Sequence, residues 1–152
     1  MNIFNKNIKV KRLTDTAVIP TKGSEYAAGM DLYADGDYRI PSGHTEKIST
    51  GIAIEIPHGY FGGIYARSGL ATKQGLRPAN AVGIVDEDYR GEIIVALHND
   101  NIEHVATPKI INRGDRIAQL VIQPYLNFGF EEVDELDDTD RGEGGFGSTG
   151  KN

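Results

Sequence analysis

Four residues that can do chemistry fall together in one short stretch: Asp86, Asp88, Tyr89 and Arg90. They stand inside Asn80-Ala81-Val82-Gly83-Ile84-Val85-Asp86-Glu87-Asp88-Tyr89-Arg90-Gly91-Glu92-Ile93. Apolar residues lead in (Val82, Ile84, Val85) and out (Ile93, Ile94, Val95, Leu97), which predicts two β-strands around a tight charged turn. A turn needs glycines such as Gly83 and Gly91; it does not need two aspartates, a phenol and a guanidinium side by side. That surplus points to chemistry at the tip. The competing expectation is a solvated hairpin whose Asp and Arg side chains pair with each other.

The elements that must position this tip are short. Runs from Ile8 to Leu13, Ala17 to Ile19, Asp31 to Ala34, Tyr38 to Ile40, Lys47 to Ser49, Ile52 to Ile56, Phe61 to Tyr65, Val82 to Val85, Ile93 to Leu97, Val105 to Lys109 and Arg116 to Pro124 carry β-type residues between turn signals. That spacing predicts an all-β sandwich or barrel. In Ile52-Ala53-Ile54-Glu55-Ile56 the isoleucines share one face and Glu55 takes the other, the signature of a half-buried strand. One short helix is predicted, with Ser68 as N-cap and Gly75 as a left-handed stop. Amides at its start, beside Arg67, would suit an anionic oxygen, although a plain connecting turn accounts for the same residues.

Composition sets outer bounds. The 152 residues fit one domain with its own core. Without cysteine there is no disulfide, thiolate nucleophile or cysteine-based zinc site, which suits a reducing compartment. Neither a signal-peptide run nor a bilayer-spanning segment is present, so the expectation is a soluble intracellular protein, cytoplasmic or nuclear. A net charge of −6 argues against nonspecific binding of nucleic acid, while the concentration of acid in Glu131 to Asp140 leaves the body nearer neutral and open to a small anionic ligand. The 19 glycines exceed the roughly 7% of an average protein and point to tight turns or close backbone approach to a ligand. Beyond a strand-like Phe128 to Val133, residues 131–152 form an acidic linker and a glycine-rich tail that cannot bury enough surface to fold alone. Arg141 and Phe146 give that tail an anion binder and an aromatic ring, the composition of a lid, against the simpler expectation of a solubilising terminus.

Familiar sites are missing. The four histidines, His44, His58, His98 and His104, show no metal-ligand spacing, Ser68 is not in a nucleophile elbow, and neither a phosphate loop nor a dinucleotide-binding glycine motif occurs.

What remains is a series of short clusters: Ala28-Gly29-Met30-Asp31-Leu32-Tyr33-Ala34; Arg67-Ser68-Gly69-Leu70-Ala71; Gly83 to Glu92; Gly114-Asp115-Arg116-Ile117-Ala118-Gln119-Leu120; and Arg141 to Gly150. In this order, across nearly the whole chain, they resemble the five motifs of the homotrimeric deoxyuridine triphosphatases, the dUTPases. The resemblance implies a β jelly roll (β-clip) with one short helix, residues 1–130 forming the catalytic body and 131–152 the linker and mobile lid of the same domain. It implies Mg2+-assisted hydrolysis of dUTP to dUMP and pyrophosphate by water attack on the α-phosphate, which lowers dUTP and supplies dUMP for dTMP synthesis. Asp86 would be the catalytic base and Asp31 would hold the magnesium through water. Arg67, Ser68, Gly69, Gln119 and Arg141 would bind the phosphates, with Gly147 in the closing tail. Asn80, Gly83 and Val85 would line the uracil slot, Tyr89 would pack on the deoxyribose and Phe146 would stack on the base. Three copies would build each site.

Three other readings differ. A dCTP deaminase shares the fold, yet such enzymes carry an Asp-Pro-Gly-Phe-like turn where this chain has Asp86-Glu87-Asp88-Tyr89. A dUTP-gated interaction protein would not need intact catalysis, and a ligand-free structural jelly roll leaves Arg141 and Phe146 unexplained.

Overall fold

The computed structural model describes residues 7–101 and 107–145. The strands are β1 (Lys9–Arg12), β2 (Thr21–Lys22), β3 (Met30–Tyr33), β4 (Tyr38–Ile40), β5 (Thr45–Ser49), β6 (Ile52–Glu55), β7 (Tyr60–Tyr65), β8 (Leu76–Pro78), β9 (Gly83–Val85), β10 (Ile94–Asn99), β11 (Lys109–Ile111) and β12 (Arg116–Pro124), with one helix, α1 (Ser68–Gln74), between β7 and β8. All pairings are antiparallel. A five-stranded sheet in the order β2, β3, β12, β7, β9 and a three-stranded sheet in the order β5, β10, β8 carry the body, with the pairs β1 to β6 and β4 to β11. Leu32, Ile64 and Leu120 of the first sheet pack in one core with Ile48, Val95 and Leu97 of the second. The all-β jelly-roll expectation holds in this arrangement.

The alternating segment behaves as its pattern requires. Ile52, Ile54 and Ile56 are buried while Glu55 faces out, where Lys9 Nζ donates to it at 2.9 Å across the β1 to β6 pair. Ala53, opposite Lys11 of β1, is buried as well.

Three expectations need correction, and one strand, Leu76–Pro78, stands where none was expected. The stretch around Asp86 is not a hairpin: β9 pairs with β7 in the five-stranded sheet, whereas β10 pairs with β5 and β8 in the other. Apolar runs announce strands but do not name their partners, and the connection between Val85 and Ile94 is far longer than the two residues of the tightest hairpins. Ala17 to Ile19 forms no strand; the pairing residues are Thr21 and Lys22, and Ala17 is buried while its amide donates to Thr14 Oγ1. Leu76–Pro78 pairs with β10 although a proline ends it. Phe128 to Val133 is irregular, with Phe128 and Phe130 exposed, since no described strand lies alongside to accept them. Residues Val105 and Ala106 of the expected Val105 to Lys109 strand lie outside the described set; pairing begins at Lys109.

Two loops are pinned by one carboxylate. Asp35 accepts from Thr14 Oγ1 at 2.5 Å and Thr16 Oγ1 at 2.6 Å, beside Gly51, whose φ of +65° and lack of a Cβ are both required there. The Thr14 hydroxyl, then that of Thr16, holds the Asp35 carboxyl below its ordinary value. A depressed carboxyl stabilises the fold fully above about pH 4, where the unfolded group is ionised, and loses that contribution as pH falls through the lower folded value. We therefore expect Asp35→Asn to lower the urea midpoint near neutrality, and the gap to the parent protein to close as titrations are repeated at progressively lower pH.

Candidate active site

Sequence neighbours and strand register bring the expected site residues into two groups. The first surrounds β9. A cavity of about 210 Å³ is lined by Asn80, Gly83, Val85, Asp86, Tyr89 and Glu92 among others. Its floor is shaped by glycine: a Cβ at Gly83 would come within 3.1 Å of Asn80 Nδ2 and 3.2 Å of Ile64 Cβ. Ala81 holds a left-handed φ of 61°, an uncommon state for a residue with a Cβ, and the tight turn it makes presents Asn80 to the cavity.

At the tip, Tyr89 N donates to Asp86 O at 3.2 Å, closing a four-residue turn. Arg90 Nη1 donates to Glu87 O at 2.6 Å and Tyr89 O at 3.0 Å, so the arginine is spent on the backbone. Among the described residues no ion pair links it to Asp86 or Asp88, which removes the self-paired hairpin. The Asp86 carboxylate accepts no hydrogen bond from a described group, and it borders the cavity that Tyr89 walls. Glu87 turns elsewhere. It accepts from His58 Nδ1 at 2.8 Å and Gly59 N at 2.5 Å, and the His58 contact is the main cause of its lowered pKa. Asp86, Glu87 and Asp88 also edge a wider depression of about 520 Å³ with Phe61, Ile84 and Tyr125, but three carboxylates make it a poor host for an anion.

The second group lies on the polar face of the five-stranded sheet. Asp31, buried on β3, accepts from Arg67 Nε at 3.0 Å and Arg116 Nη1 at 3.3 Å. Gln119 sits directly opposite Asp31 on β12, with Tyr65 on its other side. Residues three apart on a strand normally face opposite ways. The register shift between Arg116 and Ala118 inserts Ile117 as a bulge, and this turns Arg116 to the face of Asp31 and Gln119. Gly29 leaves Gln119 its room, because a Cβ there would come within 3.0 Å of Gln119 Oε1 and push that side chain aside. Two arginines against one carboxylate leave a positive surplus that suits phosphate.

Ser68 and Gly69 are exposed at the start of α1. The cap position belongs to Arg67, which is extended at φ −82°, ψ 128°, and Ser68 is the first helical residue, so the expected Ser68 cap is displaced by one. Gly75 ends the helix at φ 63°, as expected, its amide donating to Leu70 O. Arg141 is exposed and donates from Nε to Gly144 O at 2.8 Å, apart from both groups; Phe146 and Gly147 lie outside the described residues.

Asp86 and Arg67 lie towards opposite ends of β7. Val85 pairs with Gly62 and Gly83 with Ile64, so Asp86 emerges beside Phe61 while Arg67 lies beyond Tyr65. Six extended steps at roughly 3.3 Å separate Phe61 from Arg67, about 20 Å, more than the two side chains can span to meet on one phosphorus. Among the described residues no three His, Cys, Asp or Glu side chains converge to hold an ion. Asp31 nevertheless fits a water-mediated role, since each oxygen accepts one arginine N–H and keeps a lone pair. Arg116, Glu92 and Ser49 had drawn no role from the sequence; the bulge and the cross-sheet hydrogen bonds that recruit them leave no local pattern.

Comparison with known proteins gives a consistent result. The family model described as dUTPase matches residues 15–150. A deoxyuridine 5'-triphosphate nucleotidohydrolase of Corynebacterium glutamicum is 51% identical, covering 95% of each chain. A mutant dUTPase of Staphylococcus bacteriophage 80alpha, solved with dUpNHpp, superposes with a TM-score of 0.82 at 27% identity, over 95% of this chain and 99% of that one. A mutant dUTPase from phage phi11 of S. aureus, described with a structural Mg(II) ion, matches at a TM-score of 0.76 and 25% identity over 86% and 98%. With the model spanning nearly the whole sequence and a relative half identical along its length, this chain belongs to the dUTPase family.

Proposed function

We propose that the protein hydrolyses dUTP to dUMP and pyrophosphate at sites shared between copies of a homotrimer. The observation that carries this reading is the unpaired Asp86 carboxylate at the edge of a cavity of nucleoside-base dimensions walled by Asn80, Gly83, Val85 and Tyr89. Asn80 and the Gly83 to Val85 backbone bond the uracil edge and leave no place for a 5-methyl group. Cytosine leaves the same buried donors and acceptors mismatched, a large penalty. Tyr89 lies against the deoxyribose where a 2′-hydroxyl would clash.

Asp86 orients a water and takes its proton as that water attacks the α-phosphorus. Charge moves onto the phosphate oxygens and the leaving pyrophosphate, and Arg67, Ser68, Gly69 and Gln119 supply fixed donors for it. Asp31 orients Arg67 and would hold, through water, a magnesium ion that would supply positive charge to the triphosphate. Because Asp86, after β9, lies beside the start of β7 and Arg67 follows its end, the phosphate group of one copy serves the base cavity of another. The exposed Phe128 and Phe130 give the segment before the tail an apolar surface suited to such a neighbour. Residues 131–152 act as linker and lid, with Arg141 on phosphate, Phe146 on the uracil ring and Gly147 allowing close approach.

The test is pyrophosphate release with magnesium from dUTP, dCTP, dTTP and UTP at equal concentration. Turnover confined to dUTP supports the reading; ammonia release from dCTP overturns it. Removing residues 141–152 should lower turnover about a hundredfold or more by leaving the substrate unclosed, with melting temperature unchanged, because the described part of that tail is largely exposed. A large fall in melting temperature would make the tail structural instead. No helix among the described residues is long and apolar enough to cross a membrane; we place the enzyme in the cytoplasm or nucleus, beside its nucleotide substrate.

A further inference from the structure

Tyr89 is held by groups that do not themselves belong to the expected motif roles. Its hydroxyl donates to the Glu92 carbonyl at 3.0 Å, and the ring lies so close over Gly91 that any Cβ there would strike the phenol. The Glu92 side chain runs back to the other sheet. Its Oε1 accepts from the Ser49 hydroxyl and from Gly51 N at 2.8 Å. The next residue is tied to the same turn twice, since Thr50 Oγ1 donates to Ile93 O at 2.5 Å and Ile93 N donates to Ile52 O at 2.8 Å. Gly51 can present its amide because it occupies a left-handed φ that a side chain would strain. From the opposite side, Arg90 fixes the carbonyls of Glu87 and Tyr89.

We propose that Glu92, anchored by Ser49 and Gly51, is a positioning residue that sets the Tyr89 ring as the sugar wall and thereby sets discrimination between deoxyribo- and ribonucleoside triphosphates. The inference rests on the reading of Tyr89 as that wall. Glu92 borders the cavity, but its carboxylate is occupied by the connection between β5 and β6, so it acts through the tyrosine. A wall that rejects a single hydroxyl by shape must be rigid to a fraction of the size of that hydroxyl. A tyrosine hinged only at its own backbone would yield; one pinned at its hydroxyl to a strapped carbonyl does not.

The experiment measures kcat and KM for dUTP and UTP with the full chain in its assembled state. Glu92→Ala, Ser49→Ala and Tyr89→Phe should each lower the ratio of kcat/KM for dUTP over UTP, by about tenfold for Glu92→Ala, with UTP turnover rising while dUTP KM rises. Glu92→Gln should restore the ratio, because its amide oxygen still accepts from Ser49 and Gly51. Equal losses on both substrates with an unchanged ratio would overturn the proposal and leave Glu92 a purely structural residue. If Glu92→Ala fails to fold, Ser49→Ala, which retains the Gly51 contact, and Tyr89→Phe decide it. Tyr89→Ala separates the two layers. Discrimination kept in that variant overturns the sugar-wall reading itself, whereas discrimination lost there but kept in Glu92→Ala and Tyr89→Phe overturns only the positioning role.

Discussion

Asp86→Asn should bind dUTP and turn it over about a thousandfold more slowly, the middle of the range for loss of a general base. The amide matches the carboxylate in shape and can still touch a water, but it cannot accept the proton. The structure makes the substitution clean, since the Asp86 side chain accepts no hydrogen bond from a described group and its loss therefore leaves no partner orphaned. Single-turnover rates with saturating dUTP, together with binding of a non-hydrolysable analogue, separate chemistry from affinity. Activity equal to that of the parent would remove Asp86 from the reaction, and lost binding would make it a substrate contact.

Mixing two inactive proteins should restore activity. On the shared-site reading, Asp86→Asn and Arg67→Gln each disable every site in a uniform trimer, but a mixed trimer can join an intact Arg67 from one copy to an intact Asp86 from the next. Random assembly of equal amounts then gives about a quarter of the parent activity, one half for each intact partner. The glutamine is chosen because it can still donate to Asp31, which also keeps Arg116. A site contained in one chain would recover nothing after subunit exchange. This result separates the shared site from the enzymatic assignment, which would survive a failure here.

Much of this was legible because it is local. The alternation in Ile52 to Ile56, the left-handed stop at Gly75 and the order of the five motifs depend on residues close in sequence, and the first two match the structure directly. Asn80, Gly83, Val85, Asp86 and Tyr89 line one cavity because they are near neighbours along the chain. Pairing across the sheets was not legible. The apolar runs on either side of Asp86 suggested partners, yet they belong to different sheets, because hydrophobic alternation fixes which face is buried and leaves the neighbour open. Arg116 was missed for a related reason: three residues from Gln119, it reads as facing away until the bulge at Ile117 reverses it. Ser49 and Glu92 are 43 positions apart, a contact no local rule can supply.

The placement of Asp86 and Arg67 at opposite ends of β7 has a consequence for dosage. On the shared-site reading a lone chain has no working centre, so activity in a cell rises more steeply than expression until association is complete, and is linear only above that point. Scarce protein would be silent rather than weak. The same geometry makes a chain defective in both residues unusually harmful to its neighbours: each such copy in a mixed ring spoils the centre it should feed and the centre it should complete. Co-expressing that double variant with the parent should therefore depress activity by more than its share of the chains.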